Sequence, residues 1–346
     1  PHEPQPSPHP HEPRARLACA LLLVWLWRKD PVRHPPATLT AVPTTPPPAI
    51  DATPPDPLPA LLDDVTTILL AALERAMARG DARPREAVLT FKDDAGLRGF
   101  LDRAGRSGLT VLGQLDRLRA VRVRFDRFTD LEAELRGHSA DHDTVASNPL
   151  VTIPAAPSKQ ERAAVDQVPF GNDTLAFLGA EGDRSGWGRG TTIAILDTGV
   201  AADATFDLGR LRSLDIGLGA APGTARDDGH GTSVAALAAG AAADAAGVAP
   251  AASILSIRVT DAGGTSDLFT LSSAIVAAVD AGARIINISL GGHATGAVLD
   301  AAIGYATQQG ALIVAAAGND QAAQLAWPAA DARVVSVGAV DKAEQQ

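Results

Sequence analysis

Cysteine is almost missing from this chain of 346 residues: Cys19 is the only one, which excludes disulfides within the chain and any metal site built from thiolates. A cationic surplus is missing too. The formal net charge is −10, and it is uneven: residues 1–159 hold 20 Lys+Arg against 20 Asp+Glu, residues 160–346 hold 10 against 20. The negative excess therefore sits in the second half and argues against a nucleic-acid partner there. No stretch is long enough to cross a bilayer as a helix. The apolar run Leu17–Trp27 falls short, although with Arg14 and Arg16 before it the run has the form of the apolar region of a secretory signal. Arg28, Lys29 and Asp30 follow at once, and no small-residue cleavage site stands nearby. The expected location is secreted, periplasmic or at the cell surface. Phosphate-binding signatures are lacking as well: Gly217, Gly219 and Gly223 miss the dinucleotide spacing, and no phosphate-loop lysine motif occurs. No cofactor is expected, and no metal site.

What is present suffices for more than one core, since 46% of the residues are hydrophobic. Residues 1–57 are a proline-rich segment expected to be disordered, carrying the apolar run 17–27. Over 58–83 the apolar positions Leu58, Leu61, Leu62, Val65, Leu69 and Leu73 recur at helical spacing, and Gly80 ends the pattern. Residues 84–153 then read as a small α+β unit of order β-α-β-β-α-β, with strands at Val88–Phe91, Thr110–Leu115 and Ala120–Phe125 and a last extended stretch to Ile153. That unit carries no catalytic constellation of its own. A polar, proline-bearing linker over 154–175 is the expected place of a maturation cut. From 176 to 346 short runs rich in Ile, Val, Leu and Ala (191–196, 253–259, 284–289, 311–316, 333–337) alternate with helical stretches (230–242, 268–279, 295–308), which predicts an α/β fold with a parallel sheet covered by helices on both faces. Ligands of such sheets bind outside the carboxyl ends of the strands.

The first of these runs ends in Asp197-Thr198-Gly199, and 33 positions later His230 stands between Gly229 and Gly231 at the head of an alanine-rich helix. Alone, the glycine-flanked histidine is equally a capping turn or a catalytic base. An aspartate that accepts a hydrogen bond from one ring nitrogen fixes the tautomer and lets the other nitrogen take a proton. Asp-Thr-Gly also occurs in aspartic proteases, but those need two such triplets in a β-rich fold, and this chain has one on an α/β pattern.

Ile195-Leu196-Asp197-Thr198-Gly199-Val200 and Gly229-His230-Gly231-Thr232-Ser233-Val234-Ala235 resemble the aspartate and histidine boxes of the subtilisin-like serine proteases. In the same order follow Gly247-Val248-Ala249-Pro250, Ile286-Asn287-Ile288-Ser289-Leu290-Gly291-Gly292 and Ala315-Ala316-Ala317-Gly318-Asn319-Asp320, which are similar to further segments of that family. The resemblance runs from about Gly188 to Asp341. It implies a serine endopeptidase made as a zymogen and acting on polypeptides as a monomer. Asp197 would orient His230, the general base, and Asn319 would donate to the oxyanion. Ser289, Leu290 and Gly291 would form one substrate-pairing edge, Gly263 and Gly264 the other, while Ala317 and Gly318 would wall the primary specificity pocket. The unit at 84–153 resembles the family's propeptide, the chain's own intramolecular inhibitor, and its arginines between Arg103 and Arg127 would face an acidic catalytic domain.

Two departures stand out. The alanine-rich segment 238–246 replaces the longer loop with amide ligands of calcium-binding relatives. The nucleophile box Gly-Thr-Ser-x-Ala-x-Pro occurs nowhere after Asn319, where Ser336 is the only serine. The fold is therefore expected to be incomplete, the sequence truncated before the catalytic serine, and the chain inactive as it stands. The alternatives are a degenerate, non-catalytic protein that holds peptides or a partner, and a serine supplied by another chain.

Overall fold

The structure is a computed structural model that describes residues 58–153, 175–176, 178–203, 205–206, 209–216, 229–243, 245–261, 263–318 and 325–338, with backbone only for 58–65. The expectations for residues 1–57, for the linker 154–174, for Gly217, Gly219 and Gly223, and for Asn319 lie outside the described residues.

The first unit begins with helix α1 (Leu58–Arg79) and continues as β1 (Ala82–Phe91), α2 (Asp94–Ala104), β2 (Leu109–Leu115), β3 (Ala120–Phe125), α3 (Phe128–Gly137) and β4 (His142–Thr152). The strands pair antiparallel in the order β2-β3-β1-β4. Period-2 alternation gives this sheet two different faces. Leu89, Phe91, Val121 and Val123 pack against α2 and α3 through Leu97, Phe100 and Leu131, and α1 adds Leu70 and Leu73 to the same core. Val88 and Ala120, one position out of phase, belong to the core shared with the second unit. Asp93 caps α2 by accepting from the Gly96 amide at 2.8 Å.

The second unit is a six-stranded parallel sheet of order β11-β10-β9-β5-β7-β6, where β5 is Thr192–Asp197, β6 Leu211–Asp215, β7 Ser253–Arg258, β9 Ile285–Ile288, β10 Leu312–Ala316 and β11 Val335–Val337. Helix α4 (His230–Ala239) covers one face, where Val234, Ala235 and Ala238 meet Ile193, Ile195 and Ile254. Helices α5 (Leu268–Asp280) and α6 (Ala297–Gln308) cover the other, packing on Ala194, Leu196, Leu255 and Ile257. The central strand β5 is buried along nearly its whole length, which is why it reads in sequence as an unbroken apolar run.

Two strands were not expected. β6 is an edge strand with four of its five residues exposed, and β8 (Thr265–Asp267) is three residues long. β8 does not join the parallel sheet. It pairs antiparallel with the end of β4, Leu150 to Thr152, and so extends the first unit's sheet into the second.

Ion pairs reinforce that junction. Asp267, with no exposed surface, accepts from Arg83 at 3.1 Å and lies 3.2 Å from Arg122. Arg117 pairs with Asp280 at 2.8 Å and lies over the Tyr305 ring. The expectation for the arginines between Arg103 and Arg127 needs correcting: Arg103 binds Glu134 and Asp141, and Arg127 binds Asp130, all inside the first unit. Arg122 reaches across because it shares the sheet face of Ala120, whereas Arg103 sits on a helix behind the opposite face.

Candidate active site

Asp197 is the last residue of β5, at the carboxyl end of a central strand, and is fully buried. Its Oδ1 accepts from the Thr198 amide at 2.7 Å and from His230 Nδ1 at 2.7 Å. Oδ2 is also buried and has no hydrogen-bond partner among the described residues. His230 opens α4, following Gly229, whose φ of 74° is a left-handed conformation that favours glycine.

The approach of α4 to β5 depends on the second flanking glycine. A Cβ on Gly231 would stand 2.2 Å from the Gly199 carbonyl oxygen and 3.1 Å from Asp197 Cβ. Any side chain there would push the helix, and His230 with it, away from the carboxylate. The junction is stitched further by Thr198 Oγ1, which accepts from the Gly231 amide at 3.1 Å, and by Thr232 Oγ1, which accepts from the Ala201 amide at 2.9 Å. The bond to Asp197 places the histidine proton on Nδ1, so Nε2 is the nitrogen that can take a proton. The 15% exposure of the His230 side chain leaves it within reach of a substrate.

The two expected substrate edges face each other, and the chain itself lies between them. Thr152 and Gly291 exchange both backbone hydrogen bonds, at 2.9 and 3.0 Å, and the Ile153 amide donates to the Gly264 carbonyl at 3.1 Å. Residues 150–153 thus form an extended strand bonded to β8 and Gly264 on one side and to Gly291 on the other. Behind Gly291, Leu290 is fully buried and the Ser289 hydroxyl accepts from Asn287 Nδ2 at 2.8 Å. Gly263 follows in the turn held by Asp261 Oδ1, which accepts from its amide at 2.9 Å. Ala317 and Gly318 continue from β10, where the Ala317 amide donates to Val337 and Gly318 has φ 103°.

Three serines of the second unit are otherwise placed. Ser336 pairs with Ala315 in β11, separated from β5 by β10 and β9. Ser233 donates to the Gly229 carbonyl inside the histidine turn, and Ser266 is fully buried in β8.

Sequence reasoning gave no role to Asn148 and Asp267. Asn148, fully buried, accepts from the Phe269 amide at the head of α5 and donates to Glu86. Asp267 caps the same helix by accepting from the Thr270 amide at 2.9 Å. An aspartate directly before the apolar run 268–279 is a cap signal that was available in the sequence.

The chain resembles known proteins in the same segment and beyond it. The model of the subtilase family matches residues 188–346. Alkaline elastase YaB of Bacillus sp. (strain YaB) is 28% identical over 282 residues, 80% of this chain and 72% of the relative, so that match extends into the residues before 188. A thermophilic serine proteinase of Bacillus sp. (strain AK1) is 41% identical over 97 residues, 28% of this chain and 24% of its own, and subtilisin Savinase of Lederbergia lenta is 32% identical over 177 residues, 51% and 64%. Among solved structures, fervidolysin of Fervidobacterium pennivorans, a keratinolytic enzyme related to subtilisin, has a TM-score of 0.56 at 20% identity over 74% of this chain and 43% of its own. The epidermin leader peptide processing serine protease of Staphylococcus aureus has a TM-score of 0.56 at 21% identity, over 75% and 70%. The chain spans a quarter of the AK1 proteinase (24%) and less than half of fervidolysin (43%). With the α/β architecture, the family model and these relatives in agreement, residues 188–346 carry a domain of the subtilase family of subtilisin-like serine proteases.

Proposed function

We propose that this chain belongs to a serine endopeptidase in zymogen form, with the unit at 84–153 docked as an inhibitor in its own substrate cleft. The observation that carries the proposal is the pairing of residues 150–153 with both cleft edges, on the sheet that holds Asp197 and His230 2.7 Å apart. An extended chain held by main-chain hydrogen bonds on two sides occupies the place a polypeptide substrate would take.

In the proposed mechanism Asp197 holds the Nδ1 proton of His230. His230 Nε2 removes the proton from a serine hydroxyl as its oxygen attacks the scissile carbonyl, and returns that proton to the leaving amine. Ala317 and Gly318 would wall the pocket for the residue before the cut, and Asn319 would donate to the oxyanion. The serine is not supplied by Ser233, Ser266, Ser289 or Ser336, so residues 1–346 are expected to hydrolyse nothing by themselves. Secretion is part of the same proposal, resting on the apolar run after Arg14 and Arg16 and on the likeness to subtilisin Savinase.

The test is fluorophosphonate labelling of the product of the gene's whole reading frame, with the 346-residue polypeptide beside it. The whole product should be labelled and the 346-residue polypeptide should not. Asp197→Asn should lower hydrolysis by the whole product on the order of 10⁴-fold, because the histidine loses its tautomer. A whole product that takes no label, or an Asp197→Asn variant of full activity, overturns the proposal.

A further inference from the structure

We infer that Thr205 is a positioning residue for the Asp197–His230 pair: its hydroxyl closes the loop behind helix α4, where calcium-binding relatives have a longer loop, and so fixes the helix that carries His230. The inference rests on the protease reading only for what the pair does. The placement of the ring is measured without any hydrolysis.

Helix α4 has His230 at one end and Ala239 at the other. Its buried face is mostly alanine, with Ala235, Ala238 and Ala239 beside Val234. A methyl group makes few contacts, so ties at the helix ends carry more of the task of holding it along the sheet. The segment that leaves Asp197 supplies ties at both. At the head are the bonds of Thr198 and Thr232. At the tail is Thr205, which is buried and whose amide donates to Asp203 Oδ1 at 2.9 Å. Its hydroxyl oxygen accepts from the Ala241 and Ala242 amides, each at 3.1 Å, and its hydroxyl proton goes to the Ala245 carbonyl at 3.2 Å. Its carbonyl also accepts from the Ala241 amide, at 3.0 Å. One side chain thus joins both limbs of the loop 240–247.

The same loop does not suit a cation. Calcium takes about six to eight oxygen ligands, whereas Asp244 is the only residue of 238–247 with a side-chain oxygen. The backbone oxygens that could add to it are engaged: Ala236, Leu237 and Ala238 accept from the Gly240, Val248 and Ala249 amides, and Gly240 accepts from Gly247. At the centre, two N–H groups turn their positive ends toward Thr205 Oγ1, an arrangement that repels a cation. The two limbs also pack closely. A Cβ on Gly240 would stand 1.9 Å from the Ala245 carbonyl oxygen and 2.9 Å from Thr205 Oγ1, and one on Gly247 would stand 2.4 Å from the Ala236 carbonyl oxygen. Gly240 has a φ of −60°, so it is glycine for room and not for conformation. The loop is closed around a hydroxyl.

The experiment compares Thr205→Val, which keeps the shape and removes the hydroxyl, with Thr205→Ser, which keeps the hydroxyl, in the whole 346-residue chain with calcium and with excess EDTA. Amide exchange at Ala241 and Ala242 reads the loop, the proton on His230 Nδ1 reads the pair, and the β5–β9 ladder controls for folding. In Thr205→Val the Ala242 amide should exchange about tenfold faster or more, the scale of one lost buried hydrogen bond, and the downfield Nδ1 proton should broaden or move upfield. Thr205→Ser should leave both as in the unaltered chain, and calcium should change neither. An unmoved Nδ1 proton in Thr205→Val, loss of protection in Thr205→Ser, or slower exchange at Ala242 when calcium is added to the unaltered chain overturns the inference. If Thr205→Val disturbs the control ladder, Thr205→Ser and the calcium comparison decide. In the whole reading frame's product Thr205→Val should lower kcat with KM held, and Thr205→Ser should restore it. Equal kcat in the two variants sinks the positioning role, whereas hydrolysis by neither variant nor the unaltered product sinks only the protease reading.

Discussion

Changing Asp267 to Asn tests whether an ion cluster holds the first unit in the cleft. Asp267 does two jobs at once: one carboxylate oxygen accepts from the Thr270 amide at the head of α5, and the other faces Arg83 and Arg122 of the first unit. An asparagine can keep the cap with its carbonyl oxygen, but it turns an uncharged amide toward two guanidinium groups. Breaking a buried ion pair by removing one partner costs about 3–5 kcal/mol. Two features reduce that here. The Arg83 and Arg122 side chains retain 25% and 19% exposure, so water reaches them, and Arg122 keeps Glu86 at 2.8 Å. The expected loss is about 2 kcal/mol, roughly thirtyfold in the equilibrium between docked and released strand. Amide exchange reads it directly: Thr152, Ile153 and Gly291 should exchange about thirtyfold faster, while the β1–β3 and β5–β9 ladders hold. Asp267→Ala should add about 1 kcal/mol from the lost cap and open the Thr270 amide as well. If Asp267→Asn leaves all three cleft amides unchanged, the cluster does not hold the units together and the reasoning fails.

Other perturbations have separate readouts. Asn148→Ala strips the Phe269 amide of its acceptor and Glu86 of a donor, both in buried surroundings, and should cost about 1–3 kcal/mol in thermal unfolding. Gly113→Val should undock the units without unfolding either, since even a Cβ there would sit 2.8 Å from the Phe269 ring; cleft protection should vanish while the Val121 and Val123 amides stay protected. Glu134 has a pH signature. Burial pushes its carboxyl up, but hydrogen bonds from His142 and Arg103 outweigh that and bring it from 4.5 to about 2. Its folded value lies below its unfolded one, so its contribution is complete above pH 4.5 and fades as pH falls toward about 2. The melting temperature of the first unit should drop across that window, and Glu134→Gln should flatten the drop.

The parallel sheet was legible because β5, β7, β9 and β10 are buried on both faces and therefore carry no polar alternation to hide them. β6 and β8 were not. The exposed residues of Leu211–Asp215 give no apolar pattern, and Thr265–Asp267 is a strand only because Leu150–Thr152 lies beside it. Strand character imposed by a partner more than a hundred residues away leaves no local trace. The same contrast holds at the site. Asp197 and His230 could be paired from their boxes, since each box also encodes the turn that aims its side chain, with Gly231 sized for the approach to Gly199. The occupant of the cleft could not, because the bonds of Thr152 to Gly291 and of Ile153 to Gly264 depend on where the first unit docks. That docking is set by Asp267, Asn148 and Phe269, residues whose partners are visible only once the fold is assembled.

The dyad itself is the central claim, and the protonation pattern of the His230 ring tests it most directly. Nitrogen-15 spectra of the 346-residue chain, with His230 assigned by its Ala variant, report which ring nitrogen carries the proton. The bond from Nδ1 to Asp197 Oδ1 at 2.7 Å predicts a protonated Nδ1 with a strongly downfield proton that disappears in Asp197→Ala. A His230 ring with its proton on Nε2 and a bare Nδ1, unaffected by Asp197→Ala, would contradict the account.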